Sequence, residues 1–415
     1  MLLYAGELIF ELGSRQHVAA GQIEFQIHPA ATLFAHVAGP ASDLAHLVFH
    51  GSEVGVSVPA GASLAPPRSS TLPERQGKES WSEQRISLTD LAPGDLSKAT
   101  RLVFHISPSV QLPRFRLGDP SGPDIDFALP GWDLRLVPVV REVDERAFAA
   151  VVEARSAEPL TLELVERLGY RLFVLLSFVS GREVGVGPVC GLDDDDQIAW
   201  ARWAPPRLRT GKAPAGWCPA HVLPRALPAV ADGFSSLASD PGLQAMIDRA
   251  VEMLLSADSP EIVDVQVITA CAGLELLAWA ALRRHGWLDA DAFAKINTGS
   301  AVRLLCRWAG VDPDLPDALP ALQTRRKQGG PADGGGPEML FGVRNRVVHP
   351  PKKLDDPAWP NGDELIESWQ LATWYLQLAL LRLLGYNGYI WSRLRLGNSE
   401  MDVEPVPWAA NDGGP

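Results

Sequence analysis

The segment Arg344-Asn345-Arg346-Val347-Val348-His349 brings together the side chains needed to break an RNA chain without a metal. RNA carries its own nucleophile. A base can take the proton of a 2′-hydroxyl, whose oxygen then attacks the adjacent phosphorus, leaving a 2′,3′-cyclic phosphate and a 5′-hydroxyl. Histidine suits the proton transfer because imidazole titrates near neutrality. Charge builds on the phosphoryl oxygens in the transition state, and the planar fork of an arginine meets it there. His349 follows Arg344 by five positions, roughly 140° of rotation on an ideal helix, so the two do not share one narrow face. Asn345 and His349 do share a face, at i and i+4. Pro350 disfavours helical geometry at His349, which predicts a histidine at a helix end. Relaxation of that end could bring the ring to Arg344. A two-fold dimer could instead pair two copies of the motif.

The elements that must hold this motif are helical. From about residue 240 the apolar period becomes 3.6. A helix is expected over 243–255. Ser259-Pro260-Glu261 reads as an N-cap with Pro at the first helical position. The helix it opens runs to about Arg284 and shows one face formed by Val263, Val267, Ala270, Cys271, Leu274, Leu277, Ala278 and Ala281. Shorter helices are expected over 290–296 and 299–309, a Gly/Pro-rich loop over 328–337, a helix over 338–349 and a last helix over 363–384. Gly385 stands where a C′ glycine belongs. Together they predict a bundle.

The front half has a different texture. Ile23 to Ile27 alternates with period two, and 46–50 and 102–106 read as short strands. Loops rich in Pro, Ser and Gly are expected near 60–78 and 118–132. A helix over 163–180 follows, then a strand or two, and 205–228 reads as an extended Pro/Ala connection. The fold class is therefore α+β and multidomain. A β-rich, sandwich-like module covers 1–140, a mixed α/β extension and linker 141–235, an all-helical bundle 240–397 and a flexible tail 398–415.

Composition narrows the function classes. The 415 residues are 46% hydrophobic and 21% charged, with a net charge of −13. That balance argues against broad, sequence-blind nucleic-acid binding and leaves room for a small basic site. Cys190, Cys218, Cys271 and Cys306 form no CxxC pair and no zinc-like cluster, so no metal or other cofactor is expected. Cys271 and Cys306 read as small buried hydrophobes, which fits a reducing, cytoplasmic setting. The N-terminus lacks a basic leader. The run 172–179 is too short to span a bilayer, so no membrane association is expected. Asp193 to Asp196 lacks the alternating spacing of a calcium loop and reads as a solvated turn. Gly334-Gly335-Gly336 lacks the Lys and Ser/Thr of a phosphate loop. Trp132, Trp200, Trp203, Trp369 and Trp374 read as core.

The motif in its setting resembles that of HEPN ribonucleases of the ApeA-like group. The likeness extends to 269–277 upstream, to Leu383-Leu384-Gly385-Tyr386-Asn387-Gly388-Tyr389 downstream, and more loosely to Leu176-Ser177-Phe178 and Gly181-Arg182-Glu183. It implies a metal-independent endoribonuclease, acting on tRNA or other structured RNA in abortive-infection defence against phage. His349 would be the general base or acid. Arg344 would bind and stabilise the phosphate, and Asn345 would orient it. Glu275 would support the site by holding Arg344 or His349. Arg346, with Arg325-Arg326-Lys327 and Lys352-Lys353 on either side of the motif, would contact RNA. The resemblance also implies a homodimer through the bundle, and an N-terminal region that would sense a phage-derived trigger or restrain the C-terminal HEPN domain. A non-catalytic scaffold binding nucleic acid or protein, and a toxin held by an antitoxin, are the alternatives.

Overall fold

The computed structural model describes residues 2–12, 15–26, 32–40, 55–57, 81–88, 92, 94–107, 124–138, 149–204, 216–259, 261–328, 334–349, 359–394 and 403–409. In chain order the strands are β1 (Leu2–Leu12), β2 (Arg15–Gln26), β3 (Thr32–Pro40), β4 (Gly55–Ser57), β5 (Trp81–Leu88), β6 (Arg101–Ile106), β7 (Ile125–Leu129), β8 (Trp132–Pro138) and β9 (Ala150–Ser156). Helix α1 (Leu162–Ser180) precedes β10 (Val186–Leu192) and β11 (Ile198–Arg202). Then come α2 (Leu223–Ser236), α3 (Pro241–Ala257), α4 (Val263–Arg284), α5 (Ala290–Lys295), α6 (Thr298–Ala309), α7 (Pro320–Lys327), α8 (Gly336–Val348) and α9 (Gly362–Leu383). Strands β12 (Tyr389–Trp391) and β13 (Val403–Pro405) close the described chain. The chain is thus mixed helix and sheet, with the β-rich part first and the helical part after it.

The chain forms two units, and each draws on separated stretches of sequence. One comprises Met1–Pro108, Gly131–Tyr170 and Val184–Thr210; the other comprises Ser109–Pro130, Arg171–Glu183 and Gly211–Pro415. This differs from the consecutive modules expected at 1–140, 141–235 and 240–397. Helix α1 itself is divided, its residues to Tyr170 falling in one unit and those from Arg171 in the other.

The first unit holds two antiparallel arrangements. Strands β4, β1, β2, β3 and β5 pair in that order, with β1 and β2 in register from Leu2↔Glu24 to Leu12↔Arg15. Strands β11, β10, β6, β9 and β8 pair in that order. Alternation decides which side is covered: Leu102, Phe104 and Ile106 of β6 are buried, as are Val152 and Ala154 of β9, while the residues between them are half-exposed. That is the period-two signature of a half-buried strand. Asp193 to Asp196 makes the tight turn between β10 and β11. The Asp193 carboxylate accepts from the N–H groups of Asp195 and Gln197, and Asp196 pairs with Arg101 at 2.7 Å.

Helix α4 is the centre of the second unit and packs against α3, α6, α8 and α9. Val267, Ala270, Cys271, Leu274, Leu277, Ala278 and Ala281 are all fully buried, which is the expected face apart from half-exposed Val263. Gly273 lies where a Cβ would meet the Leu376 methyls, so this glycine lets α9 approach closely. Helix α4 is also long and apolar enough to cross a membrane by length and composition, but much of it is covered inside the bundle. Side-chain caps start the neighbouring helices: Asp240 for α3, Asn297 for α6, and Asn361 with a reciprocal Glu364 for α9. At α7 the cap comes from another helix, since the Glu367 carboxylate accepts from the Ala321 and Leu322 N–H groups.

Several expectations are corrected. The loop near 118–132 holds β7 and the start of β8, which are joined by a tight turn through Pro130 and Gly131, where the glycine takes φ +81°. Part of the expected connection 205–228 is the start of α2, which tolerates Pro224 in its first turn and carries Pro228 within. Ser259 does not cap α4. Its hydroxyl donates back to the Ser256 carbonyl, and Ile262 stands at the N-cap without a side-chain bond. Helix α7 was not expected. The tail is ordered at 403–409: β13 pairs with β12, and Val406 and Trp408 are buried, Trp408 donating to the Tyr386 carbonyl at 2.8 Å. Residues 46–50, 60–78, Pro260 and 205–215 lie outside the described residues. All four cysteines are buried free thiols, as expected for Cys271 and Cys306.

Candidate active site on helix α8

Helix α8 starts under firm control. Glu338 accepts from the Gly335 N–H at 3.1 Å, and the Gly336 N–H reaches the Pro313 carbonyl at 2.8 Å. Arg303 of α6 grips the same Glu338 carboxylate with both sides of its fork, at 2.7 and 2.6 Å. A Cβ at Gly336 would overlap the Tyr375 hydroxyl, so only glycine fits. Met339, Leu340, Phe341 and Val343 then bury one side of the helix.

Arg344 follows Val343 at the edge of that buried side. It is half-buried, and its Nη1 donates to Asn345 Oδ1 at 3.1 Å. Its Nε is buried without a hydrogen-bond partner. The Arg344 charge is felt at the Cys271 thiol of α4, as is the opposing charge of Glu275 one turn on. Burial, the larger influence, holds that thiol protonated, well above its ordinary range. Arg344 therefore lies near the stretch of α4 that carries Cys271 and Glu275.

His349 ends the helix. Its N–H still bonds the Asn345 carbonyl at 3.0 Å, but its backbone is extended (φ −113°, ψ 137°). The side chain is exposed and makes no hydrogen bond or ion pair among the described residues. Three cationic or cation-capable groups, Arg344, Arg346 and His349, thus stand at the negative end of the α8 dipole, which favours positive charge.

The structure brings Arg344 and Asn345 together and does not bond either side chain to the His349 ring. It also corrects the partner expected for Glu275. That carboxylate is half-exposed and accepts from the Thr298 hydroxyl at 2.9 Å, because the first turn of α6 lies beside it. Nothing in the spacing of residues 275 and 298 announced this pair, nor the Arg303–Glu338 fork or the Tyr375 hydroxyl. Arg325 is drawn into an ion pair with Glu364 at 2.6 Å, which ties α7 to the start of α9 rather than leaving the fork for a ligand. Arg326 is half-exposed and Lys327 exposed. Lys352 and Lys353 lie outside the described residues. Among the described residues no group of three or more His, Cys, Asp or Glu side chains could hold a metal ion.

Residues 240–404 match the YopA C-terminal domain family. The chain is also 25% identical over 284 residues to the SPbeta prophage-derived uncharacterized protein YopA of Bacillus subtilis (strain 168). That alignment covers 68% of this chain and 59% of the relative, so the chain spans about three fifths of the relative's length. No solved structure matches. By sequence, then, helices α3 to α9, with the α8 motif, fall in the part of the chain that is similar to the YopA C-terminal domain.

Proposed function

We propose that the chain is a metal-independent endoribonuclease of the HEPN type, cutting tRNA or another structured RNA in abortive-infection defence. The end of α8 carries this reading. A guanidinium with an unused donor, an amide beside it and an exposed imidazole on extended backbone follow one another within six residues. His349 would move the 2′-hydroxyl proton. Arg344 would meet the phosphoryl oxygens, with Asn345 orienting its fork. Arg326, Lys327 and Arg346 would add a small phosphate footprint on an acidic protein. A second protomer would complete the site, since Arg344 is half-buried and unbonded to the exposed His349, with 41%-exposed Val348 beside it. The β-rich unit would sense a phage product. The relative is described as prophage-derived, a phage-linked setting that accords with this role.

The test is cleavage of tRNA by the purified full chain in EDTA, with the new ends mapped. Cyclic phosphates and 5′-hydroxyls are expected. His349→Ala should slow the reaction by about 10²–10⁴-fold, the usual worth of a positioned acid or base. Unchanged cleavage by that variant would end the proposal. The rival reading is a non-catalytic HEPN scaffold, favoured by the lack of any bond between Arg344 and His349. It predicts RNA binding by wild type and variant alike, with no new ends.

A further inference from the structure

A cleft of about 350 Å³ lies at the end of the helical unit where α2, α4, α6 and α9 finish, and none of its lining residues belongs to α8. Buried Leu243 and Leu384 make an apolar floor. Arg284, His285, Trp308 and Arg382 stand around it. The His285 and Trp308 rings pack against each other, 5.0 Å apart and tilted by 34°, and put an aromatic face on one side of the cleft.

The two arginines are not consumed by the helix ends. Helices α4, α6 and α9 all close on a left-handed glycine: Gly286 (φ +68°), Gly310 (φ +74°) and Gly385 (φ +68°). In each case the following N–H returns to a carbonyl five residues back. These bonds are Trp287 to Leu282 (2.9 Å), Val311 to Cys306 (2.8 Å) and Tyr386 to Leu381 (3.0 Å). Backbone groups therefore satisfy the last carbonyls. Arg382 lies over the Trp408 ring at 5.5 Å and makes no hydrogen bond or ion pair among the described residues. Among the described residues Arg284 pairs with the Asp240 carboxylate alone, at 3.5 Å, and that carboxylate also caps α3. Among the described residues the cleft is lined by two guanidiniums and no carboxylate, in a chain of net charge −13.

We propose that this cleft binds a small molecule joining a planar ring to a phosphate, of the nucleoside monophosphate class. The ring would stack on the half-buried Trp308 indole, with the tilted His285 ring beside it. The phosphate would take the fork of Arg382 and the charge of Arg284, a pairing suited to a dianion. The volume falls at the lower end of the range for small-molecule sites. This site is independent of the α8 motif and of the ribonuclease reading.

The test is calorimetric titration of the full chain with AMP, GMP, CMP and UMP, and with adenosine and inorganic phosphate separately. At least one nucleotide should bind about tenfold or more tightly than either fragment. Arg382→Gln and the more exposed Arg284→Gln should each weaken it about tenfold, with unchanged melting temperature. Three outcomes would overturn the proposal: no heat with any nucleotide at millimolar concentration, phosphate alone binding as well, or affinity unaltered in both arginine variants. Loss of binding in His349→Ala with retention in Arg284→Gln would place the nucleotide at α8 and overturn it equally.

Discussion

Replacing Arg393 with Met should be one of the most damaging single changes in the helical unit. Arg393 is 6% exposed and its fork lies on the Asp258 carboxylate, with Nη1 to Oδ1 at 2.7 Å; Nε donates to Gln377 Oε1, also at 2.7 Å. Asp258 is the C-cap of α3, so this pair ties the segment after α9 to the end of α3. Methionine fills much of the volume but leaves a carboxylate that is 2% exposed without a partner. Stranding one member of a buried pair costs about 3–5 kcal/mol. In a unit of this size each kcal/mol moves the midpoint by about 2–4 °C, so a loss of about 6–20 °C is expected. Thermal and urea unfolding followed by circular dichroism would measure it. Adding Asp258→Leu removes the stranded charge and should recover most of the loss, because an apolar pair of similar volume is often neutral or better. A cost below about 1 kcal/mol for Arg393→Met, or a double variant whose loss equals the sum of the singles, would refute the reasoning.

The Tyr375 hydroxyl is buried without a partner and crowds Gly336, so Tyr375→Phe should raise stability by about 1 kcal/mol. The same change should rescue Gly336→Ala, and no rescue in the double variant would reject the clash as the cause. Burial lifts the Asp248 carboxyl above its ordinary range, with the Arg171 guanidinium 2.5 Å away pulling it partly back. The folded chain then keeps a proton that the unfolded chain has released, so this group's contribution falls as pH rises from the ordinary carboxylate value through the raised one. Stability of wild type minus that of Asp248→Asn should decline across that window; a flat or rising difference would count against it.

Much of the helical unit was legible because its signals are local. The face of α4 repeats every three to four residues, and the glycine after α9 sits where left-handed backbone is needed. Helix α7 was not legible: it is eight residues long, buries only Leu322, and takes its cap from Glu367 far along the chain. Helix α2 was hidden by Pro224 and Pro228, whose usual meaning is interruption. At the site, the i, i+4 relation and the proline after His349 correctly placed the histidine at a helix end. The direction of Arg344, the partner of Glu275 and the grip of Arg303 on Glu338 depend on which helices meet, and residue spacing carries no record of that.

The interrupted course of the helical unit bears on what can be inherited or cut out as a piece. The stretch similar to the YopA C-terminal domain begins at residue 240, at the cap of α3. Yet buried Asp248 is neutralised by Arg171, Gly233 of α2 packs onto the Leu384 backbone, and Trp217 donates to the Phe178 carbonyl. Each of those contacts reaches upstream of the shared stretch. A protein carrying residues 240–404 alone would need other groups to cover these places, so the packing of this chain reaches beyond the stretch that matches the domain family.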